Sequence, residues 1–195
     1  MKLDIILSGV GGQGILSIAA IIGEACLCQG LYIKQAEVHG MSQRGGDVQS
    51  NLRISSNLIY SDLIAKGAAD AIIALEPMEA LRYIPYLSSK GWIVANSTPF
   101  INIPNYPQLD SIIQELSSYP NVILLDVDNI AKELGSARAA NMVLLGAASA
   151  ILGIEENQLG EAIRKAFARK GETIVESNIK AFCAGRDAAK IQIND

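Results

Sequence analysis

Two glycine-bearing loops near the start of the chain hold the residues whose types and spacing suit ligand chemistry. The first, Gly9-Val10-Gly11-Gly12-Gln13-Gly14, follows an apolar run over 3–7 and precedes a helix-length apolar stretch over 15–28. Glycines at 9, 11 and 14 have the G-x-G-x-x-G spacing of a strand-to-helix turn. Such a turn lets a phosphate or carboxylate approach a helix N-terminus, where unpaired N–H groups and the positive end of the dipole converge. The same glycines also suit a tight turn with close helix–sheet packing and no ligand, and the spacing alone leaves both readings open. The second loop, Glu37-Val38-His39-Gly40-Met41-Ser42-Gln43-Arg44-Gly45-Gly46, carries the only histidine of the chain together with a serine, a glutamine, an arginine and three glycines. It can turn sharply and present several hydrogen-bonding groups at one place. Arg44 suits a carboxylate or phosphate, or an acidic residue across the fold. Glu37 stands 23 positions after Gly14, where a dinucleotide-binding unit has the acid that binds a ribose.

The elements that must position these loops follow from the apolar pattern. A strand over 3–7, a helix over 15–28 closed near Gly30, and a second strand over 31–38 frame the two loops. Residues 48–54 alternate, predicting a half-exposed strand with a hairpin partner over 58–60. Buried strands are expected over 71–75, 92–95 and 122–125, with helices from Glu76-Pro77 to about 85–87 and over 109–118. Residues 98–107 hold three of the six prolines and read as an irregular, partner-facing connection. Asp126 or Asp128 caps a helix that stops near Gly135. From Arg138 onward the pattern is helical: 142–152, a helix opened by Glu155-Glu156 and closed before Gly171, and a last helix over 173–190. The rhythm predicts an α/β fold, a three-layer, Rossmann-like, mostly parallel sheet with helices on both faces and a helical C-terminal region, with both loops at the carboxyl ends of strands.

Length and composition bound the function. The 195 residues suit a single domain spanning 1–195. Half are hydrophobic and 18% are charged, which fits either a partner-covered surface or a large buried sheet. A net charge of −4 without a Lys/Arg block argues against nucleic acid as the main partner. The apolar stretch over 142–152 is too short to cross a bilayer, and no signal segment is visible, so a cytoplasmic location and no membrane partner are expected. Cys26, Cys28 and Cys183 form no C-x-x-C pair, so no metal and no iron–sulfur cluster are expected on this chain alone.

Taken together, G-V-G-G-Q-G at 9–14 and E-V-H-G-M-S-Q-R-G-G at 37–46 resemble the gamma-type subunit or domain of 2-oxoacid:ferredoxin oxidoreductases. Ser61-Asp62-Leu63-Ile64, Leu75-Glu76-Pro77-Met78-Glu79-Ala80-Leu81-Arg82-Tyr83 and Asn141-Met142-Val143-Leu144-Leu145-Gly146 extend the likeness over essentially the whole chain, nearest to the beta subunit of the indolepyruvate branch. That branch usually has proline where this sequence has Asp62. The resemblance implies a non-cluster subunit of a complex that oxidatively decarboxylates a 2-oxoacid, an arylpyruvate by first expectation, to an acyl-CoA with reduction of ferredoxin. It implies thiamine diphosphate and iron–sulfur clusters on an alpha-type partner, coenzyme A as co-substrate, and no catalytic residue here. The residues it marks for an interface or an anionic ligand such as coenzyme A are Gly9, Gly11, Gly12, Gln13, Gly14, His39, Ser42, Gln43 and Arg44. Three alternatives stand beside it: the pyruvate or 2-oxoglutarate branch, a free-standing NAD-binding oxidoreductase using Gly9, Gly11, Gly14 and Glu37, and a purely structural subunit.

Overall fold

The computed structural model describes residues 1–39 and 46–194. Its centre is β1 (Lys2–Val10), whose side chains alternate between two apolar layers as strand geometry dictates. Ile5 and Leu7 pack into the larger layer, and Ile6 into the smaller. The other strands are β2 (Tyr32–His39), β3 (Asp47–Ser55), β4 (Ala69–Ala74), β5 (Leu87–Asn96) and β6 (Val122–Leu125), in the order β2-β3-β1-β4-β5-β6. β1, β4, β5 and β6 run parallel, whereas β3 is antiparallel to both of its neighbours, β1 and β2. The sheet is therefore mixed and mostly parallel, with helices on both faces, as the α/β rhythm predicted.

The larger layer is covered by α1 (Ile15–Leu27), α5 (Ala140–Leu152), α6 (Glu156–Phe167) and α7 (Glu172–Asn194), joined by α4 (Val127–Glu133). The smaller layer lies under α2 (Pro77–Arg82) and α3 (Leu109–Ser117). α5 and α7 touch backbone to backbone: a Cβ on Gly146 would collide with the carbonyl oxygen of Phe182, and one on Gly185 with that of Val143. No helix among the described residues is long and apolar enough to cross a membrane.

Two expectations are corrected. Residues 58–60 form no strand, and β3 runs inside the sheet, between β1 and β2, with Val48, Ser50, Leu52 and Ile54 buried as the alternation predicted and the opposite face only partly open. Its polar residues looked solvent-facing but have partners. Asn51 is 2% exposed and accepts from the Ile64 N–H at 3.2 Å, while Arg53 grips the buried Asp4 through Nε at 2.7 Å and a second nitrogen at 3.2 Å. The loop after β3 thus covers the face of β3 that alternation had assigned to water. In addition, the helix expected from Glu76 to about 85–87 ends at Arg82 and is followed by a 3-10 turn over Ile84–Tyr86.

Candidate functional site

β1 hands the chain to α1 on one face of the sheet, and its parallel neighbour β4 hands it to α2 on the other. Adjacent strands that part in this way open a crevice at their carboxyl ends, the place where doubly wound sheets hold ligands. The glycine loop lies on this crevice. Gly14 caps α1 at φ 91°, a left-handed conformation that disfavours other residues. A Cβ there would also lie 2.5 Å from Nδ2 of Asn141 at the start of α5, which donates to the Gly14 carbonyl at 3.4 Å. Gly9 leaves room for Gln13, whose Oε1 would be 2.8 Å from a Cβ at position 9.

Gln13 uses both ends of its amide inside the fold. Oε1 accepts from the Val10 N–H at 2.7 Å, and Nε2 donates to the Leu75 carbonyl at 3.1 Å. The side chain therefore ties β1 to the end of β4 across the switch point. Gly12, at φ 104°, has open space where a Cβ would project, so it forms the approachable side of the turn. The Gly11 N–H donates to the Gly46 carbonyl at 2.9 Å, which joins the first loop to the end of the second. His39 closes β2 opposite Val48 in β3. Ser42, Gln43 and Arg44 lie outside the described residues.

The cleft at the switch point, about 420 Å³, is lined by Gly12, Gln13, Leu75, Asn96, Asp128, Ala137, Arg138, Ala140 and Asn141. Its floor is organised by Asn96, which is 1% exposed. Nδ2 of Asn96 donates to Leu75 O at 3.3 Å, Thr98 O at 3.1 Å and Asp128 Oδ2 at 2.7 Å, while Oδ1 accepts from the N–H groups of Thr98 and Val127. Arg138 lies on the rim, just ahead of α5, with no hydrogen bond or ion pair to any described residue. The sequence reading passed over both Asn96 and Arg138. Their only cue was position: a strand's last residue, and an arginine just before a helix start.

A second polar cluster lies on the α2 side. Glu76, fully buried, accepts from the Glu79 N–H at 2.9 Å, from the Phe100 N–H at 3.4 Å and from the hydroxyl of Tyr106. Burial pushes the Tyr106 phenol above its ordinary range, and its bond to Glu76 adds to that. Burial likewise raises the Glu79 carboxyl, opposed by Arg82, which donates to both carboxylate oxygens at 2.7 and 3.1 Å. These carboxylates hold the fold together: Glu76 caps α2 and pins residues 100–106 to it.

Among the described residues, no group of three or more His, Cys, Asp or Glu is placed to share a metal ion. Burial pushes the Cys26 thiol up to about 11, so it packs as a neutral side chain. Glu37 is two strands away from β1, because β3 intervenes, and its carboxylate accepts from Nε2 of Gln35 at 2.7 Å. At about 4.8 Å per strand, β3 puts it roughly 10 Å from β1, one strand spacing beyond the neighbouring position a ribose-binding acid would occupy. The geometry thus defines a Rossmann-like chain with a switch-point crevice, in which Glu37 does not stand where the acid of a dinucleotide site would.

The chain belongs to the pyruvate ferredoxin/flavodoxin oxidoreductase family, whose sequence profile it matches over residues 4–188. It is 40% identical to indolepyruvate oxidoreductase subunit IorB of Archaeoglobus fulgidus, over 97% of this chain and 96% of that protein. Its structure aligns with the gamma subunit of a keto/oxoacid ferredoxin oxidoreductase from Geobacter sulfurreducens at a TM-score of 0.70 and 28% identity, over 97% of this chain and 99% of the other. It also aligns at a TM-score of 0.77 and 27% identity with 2-oxoglutarate:ferredoxin oxidoreductase from Magnetococcus marinus, a structure with 2-oxoglutarate, coenzyme A and succinyl-CoA bound. That match covers 97% of this chain but 31% of the other, so this chain corresponds to one part of a longer polypeptide.

Proposed function

We propose that this chain is the non-cluster subunit of a thiamine-diphosphate-dependent 2-oxoacid:ferredoxin oxidoreductase acting on indolepyruvate or a related arylpyruvate. All 195 residues serve as one gamma-type domain in the cytoplasm, beside an alpha-type partner that carries thiamine diphosphate and the iron–sulfur clusters. The complex decarboxylates the 2-oxoacid, transfers the acyl group to coenzyme A and passes two electrons to ferredoxin. The observation that carries this reading is the near full-length similarity to an indolepyruvate oxidoreductase subunit, higher in identity than to the 2-oxoglutarate enzyme. The chain supplies no reacting group. Its glycine loop and the loop from His39 to Gly46 shape the carboxyl edge of the sheet where the partner's active centre meets it, and contact an anionic co-substrate such as coenzyme A.

The test is reconstitution with the thiamine-bearing partner from the same genome. Indolepyruvate with coenzyme A is expected to reduce ferredoxin only when both chains are present, and faster than pyruvate or 2-oxoglutarate at equal concentration. Full activity of the partner by itself would remove the subunit assignment, and preference for 2-oxoglutarate would move the chain to another branch.

A further inference from the structure

We infer that β2 is the contact by which two copies of this chain join, their edge strands pairing antiparallel about a twofold axis at Gln35. The two edges of the sheet are finished differently. At β6 the side chain of Gln192 stands in for a strand: the Leu124 N–H donates to its Oε1 at 3.1 Å, and its Nε2 donates to the Leu124 carbonyl at 2.8 Å. At the other edge no described strand lies beyond β2, whose 8 residues include neither proline nor glycine. An edge of that length is a template for another strand unless something blunts it.

Hydrogen-bond alternation decides which groups of β2 face outward. The Ser56 N–H donates to Met1 O and the Gly11 N–H to Gly46 O, each at 2.9 Å, and both bonds continue the β1–β3 register past the strand ends. Odd residues of β1 therefore bond even residues of β3, and odd residues of β3 bond even residues of β2. That leaves the N–H and C=O of Ile33 and Gln35 on the open side. The side chains of Tyr32 and Val38 stand on the sheet face that carries Ile6, where they are 49% and 53% exposed.

The occupant follows from what each register sets face to face. In a twofold antiparallel pair one residue lies opposite its own copy. Among the four central positions of the strand, centring on Lys34 or Glu37 opposes like charges, and centring on Ala36 sets Lys34 against Val38. Centring on Gln35 instead sets Tyr32 against Val38, twice by symmetry, and Lys34 against Ala36. Tyr32 and Val38 then cover each other, an aromatic against a β-branched side chain. The strand is thus complementary to itself in one register, a property that a second copy uses and an unrelated chain does not.

Sedimentation equilibrium of the full chain tests it. A dimer is expected at about 100 μM. Val38→Lys sets a charge against Tyr32 of the other copy without touching the core, so it should weaken the dimer on the order of tenfold or more while the thermal midpoint of the fold stays unchanged. Cysteine pairing reads the register, with the exposed Cys28 and Cys183 replaced by Ser. Gln35→Cys is expected to form a disulfide between copies with diamide, because the Cα atoms of a hydrogen-bonded pair lie about 5.5 Å apart, within disulfide reach. Ala36→Cys, whose copy lies two residues along the ladder, is not. A monomer at that concentration, or a Val38→Lys dimer as tight as the wild type, overturns the contact and leaves the β2 edge to a different chain. No link at Gln35→Cys, or a stronger one at Ala36→Cys, overturns the register.

Discussion

Gln13 shows what residue types reveal and what they conceal. Its place in the glycine run marked it as a ligand contact, yet its amide is spent on Val10 N and Leu75 O. Replacing Gln13 with Ala leaves two backbone groups of the switch point unpaired, each costing roughly 1–3 kcal/mol when buried. We expect a lower urea midpoint with an unchanged m-value, and retention of wild-type stability would refute the brace. Glu79 gives a pH-dependent prediction. Its folded-state pKa is raised, chiefly by burial, so in the window just above the ordinary carboxylate range the folded chain holds a proton that the unfolded chain has released. The stability of the wild type relative to Glu79→Gln should therefore improve as pH falls through that window. Urea midpoints of both proteins from about pH 7 to 4 check the sign, and a difference that moved the other way would contradict it. Neither the brace nor the raised carboxyl was legible in sequence: the brace depends on Leu75, 62 positions away, and the raised carboxyl on burial that only the folded layers create.

At the scale of elements, the apolar runs of β4 and β6 and the glycine-to-helix turn were readable because burial on both faces leaves few polar residues in a parallel strand. β3 was legible as a strand with one buried face, and only the cover on its other face was missed. Its alternating polar residues imitate a solvated face but are paired within the fold, with Asp4 and with the Ile64 N–H. The close approach of α5 to α7 supports a sharper experiment. Ala at Gly146 or Gly185 places a methyl against a carbonyl of the facing helix, and overpacking of this kind costs about 1–3 kcal/mol or more. Gly160, in α6, has nothing within 4 Å of a Cβ, so Ala there should leave stability unchanged or raise it by up to about 1 kcal/mol. Thermal unfolding of the three variants should rank them in that order, and equal losses at all three would mean that helix propensity, not contact, governs these positions.

For the whole molecule, the layered α/β plan was legible from the alternation of strand and helix patterns, while the crevice at the switch point was legible only in part. The glycines named its edge. Asn96, Asp128 and Arg138 come to it from β5, α4 and the turn before α5, and only the sheet order brings those elements together. That arrangement yields a prediction about assembly. Residues 9–14, the segment after β5 and the start of α5 all lie at the carboxyl edge of the sheet, whereas Lys2, Ser55 and the loop through Tyr60 lie at the opposite end. If the carboxyl edge meets the partner's active centre, amide exchange should slow over 9–14 and 97–108 when the complex forms. Fluctuations that expose backbone amides in a free loop are suppressed once a partner covers it, so protection maps the covered edge. Slowing confined to residues 55–61 would place the partner at the other end of the sheet and detach the glycine loop from the active centre. Glu76→Ala gives the internal control. It removes the acceptor that pins Phe100 N and Tyr106, so exchange over 97–108 should quicken in the free chain and slow again on assembly only if the partner itself holds that segment.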